Sequence, residues 1–367
     1  MMKPDKIIIF VVFLILAIGV LCLYSSCHQS GVLIKKEIFH KQLLWQALGI
    51  CILFLCARFD YRKLSFFAVP LYVFVLLSLL FVLVAGRSIM GAQRWISLGA
   101  ISFQPSELGK YVLILVLAHY FSQISLQQDI RLLSQRPIFI RDIVWPLCMT
   151  LFLTGLVLIQ PDLGTSIVYI FIFFSIIFLA GVSLRYIGLL SISGIIMMPF
   201  FWHFLKDYQK SRLLVFLNPN ADPLGAGYTV IQSKIAIGSG GLFGKGWLSG
   251  TQSQLNFLAE RHTDFIFSVI GEEWGFFGSF MLVFLYCLLI IMILEIAQTS
   301  RDVFGKLFCV GVACVVFFHV FINIAMNVGA CPVVGLPLLF ISYGGSSLVI
   351  NLAAIGIVLN IARQRRA

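Results

Sequence analysis

Acidic and basic side chains concentrate in one short part of a chain that carries few of them: Glu260, Arg261, His262, Asp264, Glu272 and Glu273. They lie where a glycine-rich polar loop runs into an apolar segment that continues to about residue 296. Ionisable groups at the edge of an apolar segment are costly, so they are functional candidates by default. A partly desolvated carboxylate beside cations has the chemistry of a general base, which takes a proton from a reacting hydroxyl.

Asp264 is the candidate base. Thr263 is a helix-capping residue type, and a cap at this position places Asp264 in the first helical turn, where the helix dipole favours a carboxylate. Two interpretations stay open: Asp264 is catalytic, or it only helps the helix to begin. Glu272 and Glu273 lie about 12–14 Å further along the same helix, where two carboxylates need partners. We expect them to form a structural ion pair with another helix.

A second polar group opens the fourth apolar segment, within the sequence QPSELGK at 104–110. Proline suits a helix start, and Glu107 and Lys110 are three residues apart on one helix face. Lys110 is expected either to hold a substrate anion or to neutralise a carboxylate, which would be Glu107 or Glu273. Glu107 is also a candidate for substrate binding or for binding a cation.

The segments around residues 94 and 162 add candidate ligands. Arg94 can bind phosphate through two parallel hydrogen bonds, and Trp95 suits a membrane interface, where it either contacts substrate or anchors the chain. Asp162 follows a proline and precedes a helix, so it is either a turn former or a metal ligand together with Glu260.

The last apolar segment opens with hydroxyl residues around two glycines, and the hydroxyls that we consider for substrate binding are Ser342, Ser346 and Ser347. Together these residues interrupt a helical pattern. Non-helical backbone at membrane depth is tolerated where it lines a cavity or is buried in protein. The segment therefore indicates a substrate cavity, although small residues also serve close helix packing.

Composition indicates a membrane protein. The 367 residues are 60% hydrophobic and 11% charged, with a mean hydropathy of +1.02, whereas a soluble domain carries about 25% charged residues. Ten apolar segments approach the roughly 20 residues that cross a bilayer, at about 7–24, 39–57, 66–85, 105–122, 143–160, 165–181, 184–204, 264–296, 303–327 and 337–361. We expect an all-α polytopic fold that forms a single integral membrane domain over 1–367. The eighth segment is too long for a perpendicular crossing and is expected to tilt or project.

The distribution of lysine and arginine predicts the orientation. With the N-terminus inside, the inner segments hold fourteen of these residues and the short outer loops hold five, namely Lys35, Lys36, Lys41, Arg87 and Arg94. Both termini are therefore predicted to be cytoplasmic. The long loop at 205–263, between the seventh and eighth spans, is then extracytoplasmic, and a short helix is expected within it at 228–237.

The distribution of charges, glycines and cysteines argues against several classes of function. The net charge of +11 is dispersed over loops, which does not fit a nucleic-acid reader. The glycine run at 237–246 lacks the spacing of a nucleotide-binding loop. The nine cysteines form no CxxC motif, which indicates small core residues and argues against a disulfide framework or a zinc site.

Five motifs in order resemble the SEDS family (shape, elongation, division and sporulation proteins), and in particular its rod-shape branch. They are GAQRWISLGAISFQPSELGK at 91–110, QPDLGTS at 160–166, NPNADPLGAGYTVIQSKIAIGSGGLFGKG at 218–246, GTQSQLNFLAERHTDFIFSVIGEEWG at 250–275 and GLPLLFISYGGSSL at 335–348. The resemblance spans the whole chain.

The resemblance implies a ten-span glycosyltransferase of the bacterial cytoplasmic membrane that polymerises lipid II on the outer face for cell elongation. It implies partnership with a class B penicillin-binding transpeptidase and with membrane proteins of the elongation machinery. The family's essential acidic residue corresponds to Asp264, and its QRW motif to Arg94 and Trp95. Arg94, Lys110, Arg261 or a divalent cation (Mg²⁺ or Mn²⁺) would stabilise the departing diphosphate, with His262 and Thr263 also contacting substrate.

Two other classes of protein use similar features. A lipid II flippase would also need buried charges and a broken last helix, but its polar groups should be spaced through the bilayer, whereas here they concentrate at the predicted outer side. A structural scaffold for elongation partners would not explain why costly residues such as Asp264, Arg94 and Lys110 are present.

Overall fold

The structure is a computed structural model that describes residues 4–28, 33–89, 92–98, 101–127, 140–203, 205–218, 226–255, 257–258 and 260–364. Of the cations used to predict orientation, Lys3, Arg131, Arg136, Arg365 and Arg366 lie outside the described residues, as do parts of the predicted external loop (219–225, 256 and 259).

The described residues are mostly helical. The long apolar helices are α1 (Pro4–His28), α2 (Leu33–Cys56), α3 (Leu64–Ala85), α4 (Pro105–Gln127), α5 (Ile140–Ile159), α6 (Leu163–Leu179), α7 (Leu184–Trp202), α11 (Ile266–Gln298), α12 (Val303–Asn327) and α13 (Gly345–Gln364). Between α7 and α11 lie the shorter helices α8 (Asp207–Leu217), α9 (Ala226–Ser239) and α10 (Thr251–Gln254). The helix expected at 228–237 is α9, so that prediction is confirmed.

Ten helices match the ten predicted spans. Eight of them are long and apolar enough to cross a membrane, and α6 and α7 are shorter apolar helices. In hydrocarbon every backbone amide must be satisfied within the segment, which is why uninterrupted apolar runs become helices here. The predicted all-α polytopic membrane fold is confirmed. The sidedness of its termini and loops stays a prediction.

The chain forms two compact units, each assembled from segments that are distant in sequence. The first contains Met1–Ile50, Leu205–Ile291 and Val316–Asn351, and the second contains Cys51–Phe204, Met292–Val315 and Leu352–Ala367. The candidate base Asp264 belongs to the first unit.

A small antiparallel sheet in the second unit was not predicted. Its strands are β1 (Arg87–Ile89), β2 (Ala92–Leu98) and β3 (Ile101–Phe103), in the order β1-β2-β3. Cα pairs such as Arg87 with Trp95 and Ile96 with Phe103 set its register. The sheet places Arg94 and Trp95 on ordered backbone, where the sequence had indicated only a surface loop.

Helix α11 is broken at Gly275, whose φ of 67° and ψ of −158° are not helical. The segment therefore has a kink at a glycine, which tolerates positive φ. That it tilts in the bilayer or projects from it stays a prediction.

The glycine-rich loop fills the break in α11. Lys245 and Gly246 donate their backbone N–H groups to the carbonyls of Glu272 and Glu273, which end the first half of the helix. Phe276 and Phe277, which begin the second half, donate to the carbonyls of residues 241 and 242. The loop thus satisfies backbone groups on both sides of the break that would otherwise be costly to bury.

The last helix begins later than predicted. Residues 328–344 are not in an α-helix, and α13 starts at Gly345 and not near residue 337. Gly329, Gly335 and Phe340 have positive φ within this segment. The predicted interruption by small and hydroxyl residues is present, and it is longer than the sequence suggested.

Candidate active site

Asp264 lies in a turn before α11 and not in its first helical turn. The turn spans residues 260–265, and the helix begins at Ile266 with no acidic residue in its first turn. The Thr263 hydroxyl donates to the Glu260 carbonyl at 3.1 Å and does not cap α11. The capping predictions for Thr263 and Asp264 are therefore wrong, since the turn folds around the Glu260 carbonyl, which also accepts from the N–H groups of Thr263 and Phe265.

The backbone of this turn is held from two sides. The side-chain amides of Asn323 and Asn327, on α12, each donate to the Asp264 carbonyl at 3.0 Å. In the segment before α13, the Ser342 hydroxyl donates to the Thr263 carbonyl at 2.6 Å. The turn is therefore fixed by side chains about 60 to 80 residues away in sequence, as a catalytic turn must be.

The Asp264 side chain lines a cavity of about 210 Å³ in the first unit. Four of the lining residues are ionisable and carry charge in their ordinary states, namely Arg212, Lys234, Glu260 and Asp264. The remaining lining residues are mostly apolar: Val215, Phe216, Thr229, Val230, Phe265, Gly329, Cys331, Pro332 and Val333. The cavity is smaller than the roughly 300–1,000 Å³ of a whole small-molecule site. It therefore suits the reacting groups of a larger ligand.

Two glycines with positive φ lie beside charged groups of the cavity, and one of them, Gly329, is itself part of the lining. A Cβ added at Gly335 would lie 3.4 Å from Asp264 Oδ2 and 3.9 Å from Arg212 Nη1, so the carboxylate and the guanidinium both lie against this backbone. A Cβ added at Gly329 would collide with the Lys234 side chain. The absence of side chains at these positions allows the charged groups to approach the cavity.

Arg212 and Lys234 were not identified from the sequence. Arg212, on α8, donates from Nη1 to the Val333 carbonyl at 3.2 Å, and its guanidinium lies 5.7 Å from the centre of the Tyr208 ring. Lys234 lies on α9, whose other residues are mainly small or apolar. A single lysine in such a helix was the available signal, but the sequence does not show that the helix faces Asp264.

Arg261 and His262 are not among the residues that line this cavity. Arg261 is buried and donates from Nε to the Ser26 carbonyl at 2.9 Å. Burial lowers the pKa of its guanidinium. His262 Nε2 is 3.9 Å from Glu260 Oε2. The geometry does not support the prediction that Arg261 contacts the diphosphate.

Two of the three predicted hydroxyls before and within α13, those of Ser342 and Ser347, have structural contacts. Ser342 Oγ accepts from the Leu338 N–H in addition to donating to the turn. Ser346 is buried, and Ser347 accepts from the amide of Asn351. Ser342 thus positions the site through the backbone of Thr263, while substrate contacts by Ser346 and Ser347 stay predictions.

Glu272 forms an ion pair, although not with a helix. It is fully buried, and its Oε1 lies 2.9 Å from Lys245 Nζ in the glycine-rich loop. Its carboxylate also accepts from the N–H groups of Gln252 and Ser253. Glu273 accepts from the Ser25 hydroxyl. These contacts hold the loop in the break of α11.

The remaining predicted site residues belong to the second unit. Arg94 donates to the backbone carbonyls of Gln160 and Pro161, and its Nη1 lies 3.8 Å from Asp162 Oδ1. Trp95 is partly buried on β2. In this conformation Arg94 stabilises the turn between α5 and α6. Its predicted binding of phosphate stays a prediction.

Asp162 is a helix cap. Its Oδ1 accepts from the Thr165 N–H at 3.2 Å, and its Oδ2 accepts from the Thr165 hydroxyl and the Gln104 amide. The side chain is buried. These contacts favour the turn-former interpretation over the metal-ligand interpretation.

Glu107 and Lys110 pair with each other. Lys110 Nζ lies 2.9 Å from both carboxylate oxygens of Glu107, and the lysine is fully buried. This is one of the structural pairs that the sequence predicted. The Lys110 ammonium is thus directed to Glu107 in this structure, and contact of either residue with substrate stays a prediction.

The described residues do not contain a group of three or more His, Cys, Asp or Glu side chains that could hold a metal ion. Glu260 lines the cavity, but its carboxylate accepts from Thr263 and lies near His262. Hard divalent cations prefer several oxygen ligands. The residues present do not form a ready site for one.

The arrangement suits transfer of a group from an anionic leaving group. A carboxylate can take a proton, and two cations in a small, largely apolar cavity can stabilise developing negative charge more strongly than they would in water. Together, fold and site define a polytopic membrane protein with a charged cavity that is suited to glycosyl or phosphoryl chemistry.

Comparison with known proteins shows which family of membrane proteins the chain belongs to. The FtsW/RodA/SpoVE family, described as cell cycle proteins, matches residues 5–367. The chain is 40% identical over 363 residues to peptidoglycan glycosyltransferase MrdB of Escherichia coli (strain K12), covering 99% of this chain and 94% of that protein. This chain therefore belongs to the FtsW/RodA/SpoVE family, the SEDS family that its motifs resemble, and it is a multi-pass protein of the bacterial inner membrane.

Solved structures agree with this assignment. A chain from a study of the structural coordination of polymerization and crosslinking by a peptidoglycan synthase complex is 38% identical, with a TM-score of 0.78 and coverage of 98% of this chain and 97% of that one. The crystal structure of the rod shape determining protein RodA of Thermus thermophilus is 34% identical, with a TM-score of 0.70 and the same coverage.

Proposed function

We propose that this protein is a peptidoglycan glycosyltransferase that polymerises lipid II into glycan strands at the outer face of the cytoplasmic membrane, with Asp264 as the general base. The observation that carries the proposal is the position of Asp264 in a cavity beside Arg212 and Lys234. The relative MrdB, similar along nearly the whole chain, is itself named a peptidoglycan glycosyltransferase. The site and the relationship therefore support the same reaction class.

The reaction joins two lipid-linked sugars. Asp264 accepts the proton of the acceptor 4-hydroxyl, whose oxygen forms a bond to the donor's anomeric carbon with inversion. The bond from that carbon to the phosphate oxygen breaks, and its electron pair leaves with undecaprenyl diphosphate. General base catalysis of this kind contributes about 10²–10⁴-fold to rate.

Arg212 and Lys234 are the residues that stabilise the leaving diphosphate. An arginine presents several N–H donors to phosphate oxygens and a lysine supplies a compact charge, so the two complement each other. The sequence had suggested Lys110 and Arg261 for this role. We assign it to Arg212 and Lys234 because the side chains of Lys110 and Arg261 are buried in other contacts. The lipid tail would remain in the membrane, which explains why the enzyme is embedded in it.

A divalent cation, Mg²⁺ or Mn²⁺, stays a proposal that the geometry does not favour. Within the part of the chain that the structure describes, Glu260 is the carboxylate that joins Asp264 in the cavity lining. Arg212 and Lys234 already supply the positive charge that such an ion would bring to the diphosphate.

The proposed partner is a class B penicillin-binding transpeptidase, which crosslinks the strands that this protein makes. Support comes from the similar chain whose structure concerns the coordination of polymerization and crosslinking by a peptidoglycan synthase complex. Membrane proteins of the elongation machinery are proposed as further partners.

The test uses purified protein with its transpeptidase and labelled lipid II. Wild type should make glycan strands that are resolved by gel electrophoresis, and folded Asp264→Ala and Asp264→Asn variants should not. Asp207→Asn is the matched control, because Asp207 is an exposed carboxylate of the same unit. Lipid II that crosses vesicle membranes without polymerising would instead support a flippase, and glycan synthesis by the Asp264 variants would reject this base.

A further inference from the structure

A buried polar network lies behind the cavity, and the proposed reaction does not use it directly. Its members are Ser233 on α9, Ser268 on α11, and Asn323 and Asn327 on α12, and each is 0% exposed. Two of these three helices are long enough to cross the membrane. Polar groups buried at such positions are costly unless they are hydrogen-bonded, so a connected network of four is more than packing requires.

Asn327 joins every branch of this network. Its Nδ2 donates to the Asp264 carbonyl at 3.0 Å, and its Oδ1 accepts from the Ser268 hydroxyl at 2.5 Å. Its own backbone carbonyl accepts from the Ser233 hydroxyl at 2.6 Å, and the Ser233 and Ser268 hydroxyls are 2.6 Å apart. One asparagine therefore contacts the turn of the base, the start of α11 and helix α9.

The branch to α9 reaches the lysine of the cavity. Ser233 immediately precedes Lys234, which lines the cavity together with Asp264. Asn323 adds a second link, since its Nδ2 donates to the carbonyls of both Asp264 and Leu336. Leu336 follows Gly335, whose backbone lies beside the Asp264 carboxylate.

We propose that Asn327 is a positioning residue that sets the distance between the base Asp264 and the cation Lys234. Its side-chain amide donates to the Asp264 carbonyl, and its oxygens accept from the hydroxyls of Ser268 and of Ser233, the residue before Lys234, without touching substrate. A buried and fully bonded polar network fixes one geometry, whereas an apolar contact tolerates sliding. Since a displacement of about 1 Å at a reacting group can cost about 10²-fold in rate, loss of Asn327 should affect turnover much more than binding. This inference rests on the proposed function.

The test compares Asn327→Leu and Asn327→Asp with wild type in the polymerisation assay, in complex with the transpeptidase. Both substitutions nearly keep the side-chain size and remove the amide donor, and Asn327→Asp keeps the oxygen that accepts from Ser268. We expect kcat to fall about tenfold or more while KM for lipid II stays within about threefold. Ser268→Ala, a milder change in the same network, should give a smaller loss in kcat.

Asn360→Leu is the matched control. Asn360 is also buried on a membrane helix, and it donates to the Ala57 carbonyl at 2.9 Å and accepts from the Tyr61 N–H at 3.2 Å, in the other unit. Its substitution should lower the unfolding temperature as Asn327→Leu does, with unchanged kcat per folded molecule.

The outcomes separate the two proposals. If folded Asn327 and Ser268 variants keep wild-type kcat, or lose it only as Asn360→Leu does, the positioning role is rejected while an inactive Asp264→Asn leaves the base in place. If Asp264→Asn itself polymerises lipid II, both proposals fail. Should Asn327→Leu not fold, Asn327→Asp and Ser268→Ala decide the question.

Discussion

At the residue scale, the site depends on side chains from distant parts of the sequence. Asp264 comes from the turn before α11, while Arg212 and Lys234 come from α8 and α9. The carboxylate without these cations could accept a proton but would not stabilise the diphosphate that departs. The pairing of base and cations is therefore what gives the cavity its proposed chemistry.

We predict that Lys234→Met and Arg212→Gln each lower kcat/KM by about 10²-fold, because each removes one donor from the leaving group. The polymerisation rate at several lipid II concentrations measures this. Lys210→Met is the control, since Lys210 lies on the same helix as Arg212 and is not among the residues that line the cavity. A loss as large in Lys210→Met would mean that general surface charge, and not the cavity, attracts the substrate.

Asp264 could be predicted from the sequence because it stands in a local ionic cluster at the start of an apolar segment. Arg212 and Lys234 could not, because each lies in a short helix distant in sequence from Asp264 and only the folded chain brings them to it. The same reason explains why the sequence suggested Arg261 as a contact of the diphosphate. Its neighbours in sequence are site residues, but its side chain is directed to Ser26 on α1.

At the element scale, α11 and the glycine-rich loop form one structure. The loop's backbone groups pair with both sides of the break at Gly275, and Glu272 anchors the loop through Lys245. The first half of α11 follows directly from the Asp264 turn, so an ordered break limits how far the turn can move.

We predict that Gly275→Ala destabilises the protein. A Cβ there would lie 2.8 Å from the Leu242 carbonyl oxygen, and alanine at a φ of 67° adds strain of about 1–3 kcal/mol. The unfolding temperature in detergent should fall by several degrees. Gly188→Ala in α7 should leave it unchanged or raise it slightly, since nothing lies within 4 Å of the added atom and alanine favours a helix. An equal effect of the two substitutions would contradict the role given to the break.

The helices were predictable because an apolar run of about 20 residues has few alternatives in a membrane. The sheet at 87–103 was not, since its strands β1 and β3 have three residues each and their pairing depends on turns. The break at Gly275 was also missed. A single glycine position is usually tolerated within a helix, and only the loop that inserts at residue 275 reveals its role.

At the scale of the whole molecule, function requires that the cavity open on the side where glycan strands are made. The count of basic residues predicts that both termini lie inside and the segment at 205–263 outside. That segment supplies Arg212, Lys234 and Glu260. Polymerisation on the outer face therefore requires that the segment lie outside.

We predict that a cysteine at Lys206 reacts with a membrane-impermeant thiol reagent in intact spheroplasts, whereas one at Arg301 reacts only after permeabilisation. Both residues are exposed, and a background without the nine native cysteines makes the labelling specific. The opposite pattern would place the cavity residues in the cytoplasm and would contradict polymerisation on the outer face.

The measurement that tests the central claim most directly is kcat for Asp264→Asn at saturating lipid II, with the transpeptidase bound and with Asp207→Asn as control. Asparagine keeps the shape of aspartate but cannot accept the proton. We predict that kcat falls by about 10²–10⁴-fold while KM changes little and the control keeps wild-type turnover. A kcat within a few-fold of wild type in a folded Asp264→Asn protein would contradict the assignment of Asp264 as the base.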